Sequence, residues 1–342
     1  MLKNKSSKIT KILLGMFVLS LLFLGRFTIQ TTEAADGSRT LTLANELPGH
    51  AYQSRTVDFF IEQVEKRTNG SVKIKPHHGG SLLNGPGMYE GVSNRVVDLA
   101  LIPYAFMGGS IPEINVFDYP GAFSLDKFLE LQKEATPVLD EILKKHRMKH
   151  IFAVLDGGVT MAGKNTGPLK TAEDFKGLRV RAPGAAGGEI VKNFGGNPVS
   201  IPFPEIATAL QLGTIDVIFT GWPQVHSLKL YEFAKDITVT NLSTLWNALT
   251  FNLDAWNDLS PEQQKIILEC GYEAEKKSEE LAKQEFQLFR AAVEKEANLY
   301  LLKNDEMGHY NQVTRNMRDY TLSKFGKYDL TLKLQGILDK YK

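Results

Sequence analysis

Hydrophobic positions along the chain switch between two periods. Residues 39–44 (RTLTLA) alternate every second position and predict a strand. Residues 50–68 place Val57, Phe60, Ile61 and Val64 on one side of a predicted amphipathic helix. Asn69-Gly70 ends it with residue types that accept a left-handed C-cap. Residues 72–75 (VKIK) predict a second strand, 87–94 a short helix, and 96–102 (VVDLALI) a buried third strand. Strand–helix–strand–helix–strand at this spacing predicts a parallel sheet with helices on its faces. The pattern restarts at 151–155, then 178–181, a glycine-rich helix start at 184–188, 203–212 and 217–220. Two α/β units in series predict two lobes with a cleft where strand ends converge. Farther on, Ser260-Pro261-Glu262-Gln263 combines an N-cap, a first-turn proline and a Gln three residues past the cap. Ile266, Cys270, Ala274, Leu281, Leu288 and Ala292 then keep a helical period to about residue 300. Such a helix, about 60 Å long, is longer than one lobe, so it lies across both or breaks near Gly271.

Ahead of this body, Lys3, Lys5, Lys8 and Lys11 precede an apolar run at 12–25, followed by a polar stretch that ends Thr32-Glu33-Ala34-Ala35. That order predicts a secretory signal peptide over 1–35, cleaved near Ala34 or Ala35. The run falls short of the roughly 20 residues that span a bilayer; an uncleaved signal anchor is the competing reading. The exported body is then soluble and extracytoplasmic, in the periplasm. Composition is ordinary for a globular chain, 43% hydrophobic and 23% charged, with a formal net charge of +1. Because basic residues are concentrated in the leader, the body keeps a small acidic excess and no electrostatic footprint for nucleic acid. A single cysteine, Cys270, excludes an internal disulfide and any multi-cysteine metal or iron–sulfur site.

Candidate chemistry is sparse. Residues 158–165 (GVTMAGKN) approach a phosphate-binding loop, but Asn165 replaces the required Ser or Thr, and Gly167-Pro168 forbids the helix that should follow. A strand with a glycine bend is the better reading. Gly85-Pro86-Gly87 with Gly91 fits a dinucleotide fingerprint poorly and reads as a surface turn. His77 and His78, adjacent on an extended segment, point to opposite faces and are read as solvated. No nucleophile elbow or His-Glu-x-x-His motif is present, so the chain is read as a non-enzyme without cofactor or metal. Arg179 and Arg181 are more specific. They sit two apart on a predicted strand and so share a face, and Arg181 leads through Pro183-Gly184 into a glycine-rich helix start. A strand end beside a helix N-terminus suits an anion, and an arginine there can bind a carboxylate through two parallel hydrogen bonds.

From Gly177 through Pro183, Gly195 to Pro198, Phe203 to Gln211 and Ile215-Asp216, the chain resembles the solute-binding proteins of TRAP (tripartite ATP-independent periplasmic) transporters, the DctP family. Residues 65–70 (EKRTNG), Gly80-Ser81-Leu82, Val97 to Ala100, Ala255-Trp256 and Leu259-Ser260-Pro261 resemble further landmarks of that family. The resemblance implies an α/β, type II-like periplasmic binding fold of two lobes, joined by two hinge strands and a long helix spanning both. Lobe I is expected over 39–158 and 246–285, and lobe II over 159–245 and 286–335. The carboxylate clamp falls on Arg181 and the flanking aromatic on Phe203. Thr220 stands where many members have Asn, and Met161 where one branch has a second arginine. Glu46, Tyr104 and Phe106 are expected on the lobe I side, with Trp222 and Trp246 as further candidates. One clamp among such groups implies a small organic anion with a neutral or partly apolar body, a monocarboxylate or sulfonate. The implied function is capture of that anion by a monomeric binding protein for sodium-driven uptake through membrane permease subunits. The alternatives are a sensor component presenting the same anion to a membrane receptor and, less favoured, an exported α/β hydrolase.

Overall fold

The computed structural model describes residues 38–342 apart from positions 86, 202, 244 and 245; the predicted signal peptide lies outside the described residues. The first unit contains β1 (Arg39–Asn45), α1 (Tyr52–Arg67), β2 (Val72–His77), α2 (Gly87–Ser93), β3 (Leu99–Pro103), α3 (Phe128–Lys145) and β4 (Met148–Leu155). After Asp156-Gly157 the chain enters a second unit of β5 (Gly158–Gly163), α4 (Ala172–Phe175), β6 (Arg179–Arg181), α5 (Gly184–Phe194) and β7 (Asn197–Val199). It continues through α6 (Ile206–Gln211), β8 (Val217–Gly221), α7 (Trp222–Ser227) and β9 (Asp236–Ser243). The chain then returns through β10 (Trp246–Asn252), α8 (Leu253–Asn257) and the 36-residue α9 (Pro261–Glu296), and ends in β11 (Asn298–Leu301), α10 (Gly308–Phe325) and α11 (Asp329–Lys340).

These strands form two sheets, ordered β2-β1-β3-β10-β4 and β11-β9-β5-β8-β6-β7. The predicted parallel pairings are present, β1 lying parallel to both β2 and β3. The first sheet is nonetheless mixed, because β10 returns from the second unit and inserts antiparallel between β3 and β4. The chain passes between the sheets twice, from β4 to β5 through Asp156-Gly157 and from β9 back to β10.

Alternation decides what each strand contributes. Leu99 and Leu101 of β3 pack with Leu41 and Leu43 of β1 in one core, whereas Ala100 and Ile102 face a second core with Ala44. The same split holds in the other sheet, where Val217 and Phe219 face one core and Ile218 the other. Sheets covered on both faces read as continuous hydrophobic runs, which is why β3 and β8 lack a polar face. Strand β3 begins later than its hydrophobic run suggests. Arg95 takes a positive φ of 58° after α2, and the Val96 and Val97 N–H groups return to the Gly91 carbonyl, so Val96 is left 68% exposed. Helix α9 does not break at Gly271. Its capping box is formed, with Ser260 and Gln263 satisfying each other's backbone N–H, and it runs about 54 Å. Gly271 instead lets α9 pass within 3.2 Å of the Ile151 carbonyl, measured from where a Cβ would stand. Cys270, one residue earlier, is fully buried. The closing helix α11 packs against α3 and the 3-10 turn at Pro112–Phe117.

Asp118, which follows that turn, is buried with no hydrogen-bond partner for either carboxylate oxygen, and burial pushes its pKa up to about 8. The folded chain therefore holds a proton that the unfolded chain releases above about pH 4. The contribution of this group to stability is greatest below that pH and falls as pH rises towards 8, with a slope of at most about 1.4 kcal/mol per pH unit. Asp118→Asn should flatten the fall of the thermal midpoint between pH 5 and pH 8. Melts of the two proteins with parallel pH profiles would show that Asp118 is ionised in the fold.

Candidate ligand-binding site

Arg181 is the last residue of β6, and its side chain is carried between the two sheets. Although a guanidinium is a strongly hydrated cation, Arg181 is only 3% exposed. Its Nε donates to the Ile201 carbonyl at 3.2 Å. Burial pulls its pKa down to about 10, partly opposed by the negative charge of Glu46, so it stays a cation at neutral pH. Glu46 reaches the same space from the loop after β1, where its Oε2 accepts from the Gly85 N–H at 2.9 Å. Burial raises the Glu46 pKa, and the Asp156 charge adds to this, against the lowering effects of the Gly85 N–H and the Arg181 charge. Arg179 shares the strand face but lies at the opposite end of β6, where Nε and Nη2 grip the Asp216 carboxylate at 2.9 and 2.7 Å. That exposed fork is complete without a ligand.

A cavity of about 20 Å³ lies against Arg181. This is space for little more than a water molecule, so an organic ligand enters only if the two units part or side chains move. Of the residues expected from sequence, Arg181, Thr220, Phe203, Glu46 and Phe106 line it together. Four do not. Tyr104 and Trp246 are fully buried and stacked on each other, centroids 5.7 Å apart, inside a cluster with Phe117 and Phe128. Met161 points into that same core because β5 turns its odd-numbered residues inward. Trp222 belongs to a different cavity, described below.

Among the lining residues that escaped the sequence reading, three are polar: Asp156 at the first crossing, Asn247 in β10 just past the second, and Gln224 in α7. Asp156 is 3% exposed and accepts hydrogen bonds on Oδ1 from Gln53 Nε2 at 2.9 Å and from Asn247 Nδ2. Burial pushes its pKa up to about 6, held back by the amides of Gln53, Gln224 and Asn247. These partners lie up to 103 residues apart in the chain, so no local motif announces them. The only local signal is an Asp immediately before a glycine at a strand-to-strand crossing.

A larger cavity of about 450 Å³ lies behind the first crossing. Leu155 and Gly157 line it whereas Asp156 lines the smaller one, and Gly157 takes a positive φ of 72° at this point. Tyr52 and Trp222 stack across it at 6.0 Å, with Phe286 of α9 alongside. No arginine is among its lining residues, which join Tyr52, Phe128, Trp222 and Phe286 with the charged Asp126, Glu279 and Lys283. Among the described residues no cluster of His, Cys, Asp and Glu is arranged to hold a metal ion.

A model of the family described as bacterial extracellular solute-binding protein, family 7, matches residues 43–319. A solute-binding protein of Albidiferax ferrireducens is 29% identical over 258 residues, which cover 72% of this chain and 75% of that one. The 2,3-diketo-L-gulonate-binding periplasmic protein of Escherichia coli is 27% identical over 218 residues, covering 63% and 66%. Among solved structures, a TRAP periplasmic solute-binding protein of Rhodoferax ferrireducens with bound malonate superposes with a TM-score of 0.79 at 25% identity, over 88% of this chain and 98% of that one. The two-lobed fold is shared by a Sulfitobacter protein with bound β-D-galacturonate, TM-score 0.80 at 20% identity, over 88% of this chain and 99% of that one.

One close contact between the units falls at Gly184, the first residue of α5. Its φ is +63°, and a Cβ there would stand 2.4 Å from the Ala105 carbonyl oxygen in the first unit. Any side chain at this point wedges the cleft. Gly184→Ala should lower affinity at least tenfold for the tightest-binding organic acid found in a thermal-shift screen. The thermal midpoint without that acid should move by only a few degrees, since a left-handed alanine costs on the order of 1 kcal/mol. Unchanged affinity by calorimetry would remove Gly184 from the closing contact.

Proposed function

Because the chain belongs to the bacterial extracellular solute-binding proteins of family 7, the DctP family, we propose that it captures a small organic monocarboxylate between its two units and delivers it to the permease subunits of a TRAP transporter. The observation that carries this reading is a single cation, Arg181, almost wholly removed from water at the cleft. An isolated buried charge is costly, and an anion arriving with two parallel hydrogen bonds offsets that cost where water cannot. Thr220, on the neighbouring β8, lines the same cavity. One guanidinium suits one carboxylate; a sulfonate, with three oxygens, is the second candidate for the same clamp. Similar proteins are named for, or were solved with, 2,3-diketo-L-gulonate, malonate and β-D-galacturonate, all of them organic acids. The reading includes no catalytic step: the cleft brings together a clamp and hydrogen-bonding groups. An exported, extracytoplasmic location follows from the family and from the basic, apolar leader.

Arg181 is also where the reading is most exposed to test. Its removal leaves the ligand anion in a closed cleft without a partner, a loss of about 3–5 kcal/mol, or roughly 10²–10³·⁵ in affinity. Lysine restores only part, since an ammonium lacks the planar two-donor fork. Arg179→Ala, at the exposed Asp216 fork, should stay within about tenfold, on the order of 1.4 kcal/mol. Calorimetry on Arg181→Ala, Arg181→Lys and Arg179→Ala with the acid that stabilises the wild type most decides the matter. Binding by Arg181→Ala within threefold of wild type would overturn the clamp.

A further inference from the structure

The two cavities flank the chain between Leu155 and Gly157 and have no lining residue in common. The larger one has no part in holding an acid at Arg181. At about 450 Å³ it has the size of a small-molecule pocket, whereas folded interiors keep few voids larger than a water molecule. Its deep side is aromatic. Tyr52, Phe128 and Trp222 are all buried, and half-buried Phe286 meets the Trp222 ring edge-on at 5.1 Å. These four rings come from α1, α3, α7 and α9, so the aromatic lining is assembled by the tertiary fold.

The polar groups of this cavity favour positive charge. Its two hydroxyls already donate inside the protein, Tyr52 to the Leu155 carbonyl and Ser278 to the Glu275 carbonyl at 2.7 Å. Asp126 is exposed two residues ahead of α3, whose N-terminal N–H groups favour its ionised form. Glu279 is half-buried on α9. Among the described residues neither carboxylate takes part in an ion pair. Glu280, by contrast, is held by Lys277 at 2.8 Å and by Gln284 at 3.2 Å. Lys283 lies one turn past Glu279 on the same helix face and is the single cation among the lining residues. Two carboxylates against one ammonium leave the cavity with a net negative charge.

We propose that this cavity is a second binding site, for a small organic cation with an aromatic body. The body fills the space between the rings, and its ammonium meets the ring faces and the carboxylates of Asp126 and Glu279. Aromatic faces carry negative charge density, so they attract an ammonium as well as bury a ring, and Trp does so most strongly. A neutral aromatic molecule gains only the burial. An aromatic acid adds charge of the same sign as the two carboxylates and finds no guanidinium to hold it. The site is therefore opposite in charge preference to the one at Arg181, and the proposal is independent of which acid binds there.

Three probes of matched shape test this: 2-phenylethylamine, 2-phenylethanol and 3-phenylpropanoate. Calorimetry gives affinity, and fluorine NMR of protein labelled with 5-fluorotryptophan gives location. Of the three tryptophans only Trp222 lines the cavity, and Trp222→Phe assigns its resonance. The amine should bind wild type and Arg181→Ala alike, move the Trp222 resonance, and bind about tenfold tighter than the alcohol. In Arg181→Ala the acid should be the weakest of the three. Ala282 lines the cavity from α9, and Ala282→Phe should fill it and abolish amine binding. Glu279→Gln combined with Asp126→Asn changes only exposed or half-buried groups; it should bring the amine to within about twofold of the alcohol and leave the alcohol unchanged. The proposal is overturned if the amine does not bind, or binds without moving the Trp222 resonance. It is equally overturned if alcohol or acid matches the amine in Arg181→Ala, or if the double variant keeps the amine's full advantage. Amine binding lost in Arg181→Ala would place the amine in the cleft and also overturn it. Acid binding that disappears in Arg181→Ala leaves the carboxylate clamp standing whichever way the amine behaves.

Discussion

A guanidinium held almost out of water between two sheets sets the terms for everything around it. Desolvation of Arg181 would be prohibitive in an apolar core, and here it is moderated by the Ile201 carbonyl and by the charge of Glu46 across the cleft. Glu46 is buried for the same reason and is itself steadied by the Gly85 N–H. The cleft thus stores unsatisfied electrostatics of both signs. A ligand of complementary pattern is what turns that cost into affinity, which is how a binding protein can be stable enough to fold and still respond strongly to its solute.

The geometry that maintains this arrangement lies in the crossings. Between β8 and the first crossing, Gly221 approaches so closely that a Cβ would stand 1.8 Å from the Asp156 carbonyl oxygen. This contact packs Gly221 of β8 backbone against backbone on Asp156. Behind it, α9 ties the units a second time: Glu285 accepts from Arg55 of α1 at 2.5 Å and pairs with His226 of α7 at 2.6 Å.

Much of this was legible along the chain, and the reason is periodicity. The β1–α1–β2–α2–β3 series, the capped α9 and the strand carrying Arg179 and Arg181 all depend on contacts within a few residues, which local pattern reports. Arg181 could be singled out because a strand end, a proline and a glycine-rich helix start stand next to one another, whereas Phe203 entered only through the family resemblance. The errors have equally physical causes. Tyr104, Met161 and Trp246 are the right kinds of residue near the right strand ends, but each projects to the face away from the cleft, and one residue of phase separates a lining group from a core group.

What the sequence by itself determined was therefore the elements and the two-lobed plan, since each is written in spacing, capping and alternation over short range. Tertiary structure alone decided that β10 returns antiparallel through the first sheet, that α11 docks on α3, and that Asp156 meets Gln53 and Asn247. Those contacts join residues about a hundred positions apart or more, or depend on which face of a strand is turned to the cleft. No period or motif encodes them; they exist only once two sheets have closed on a charge that neither could bury alone.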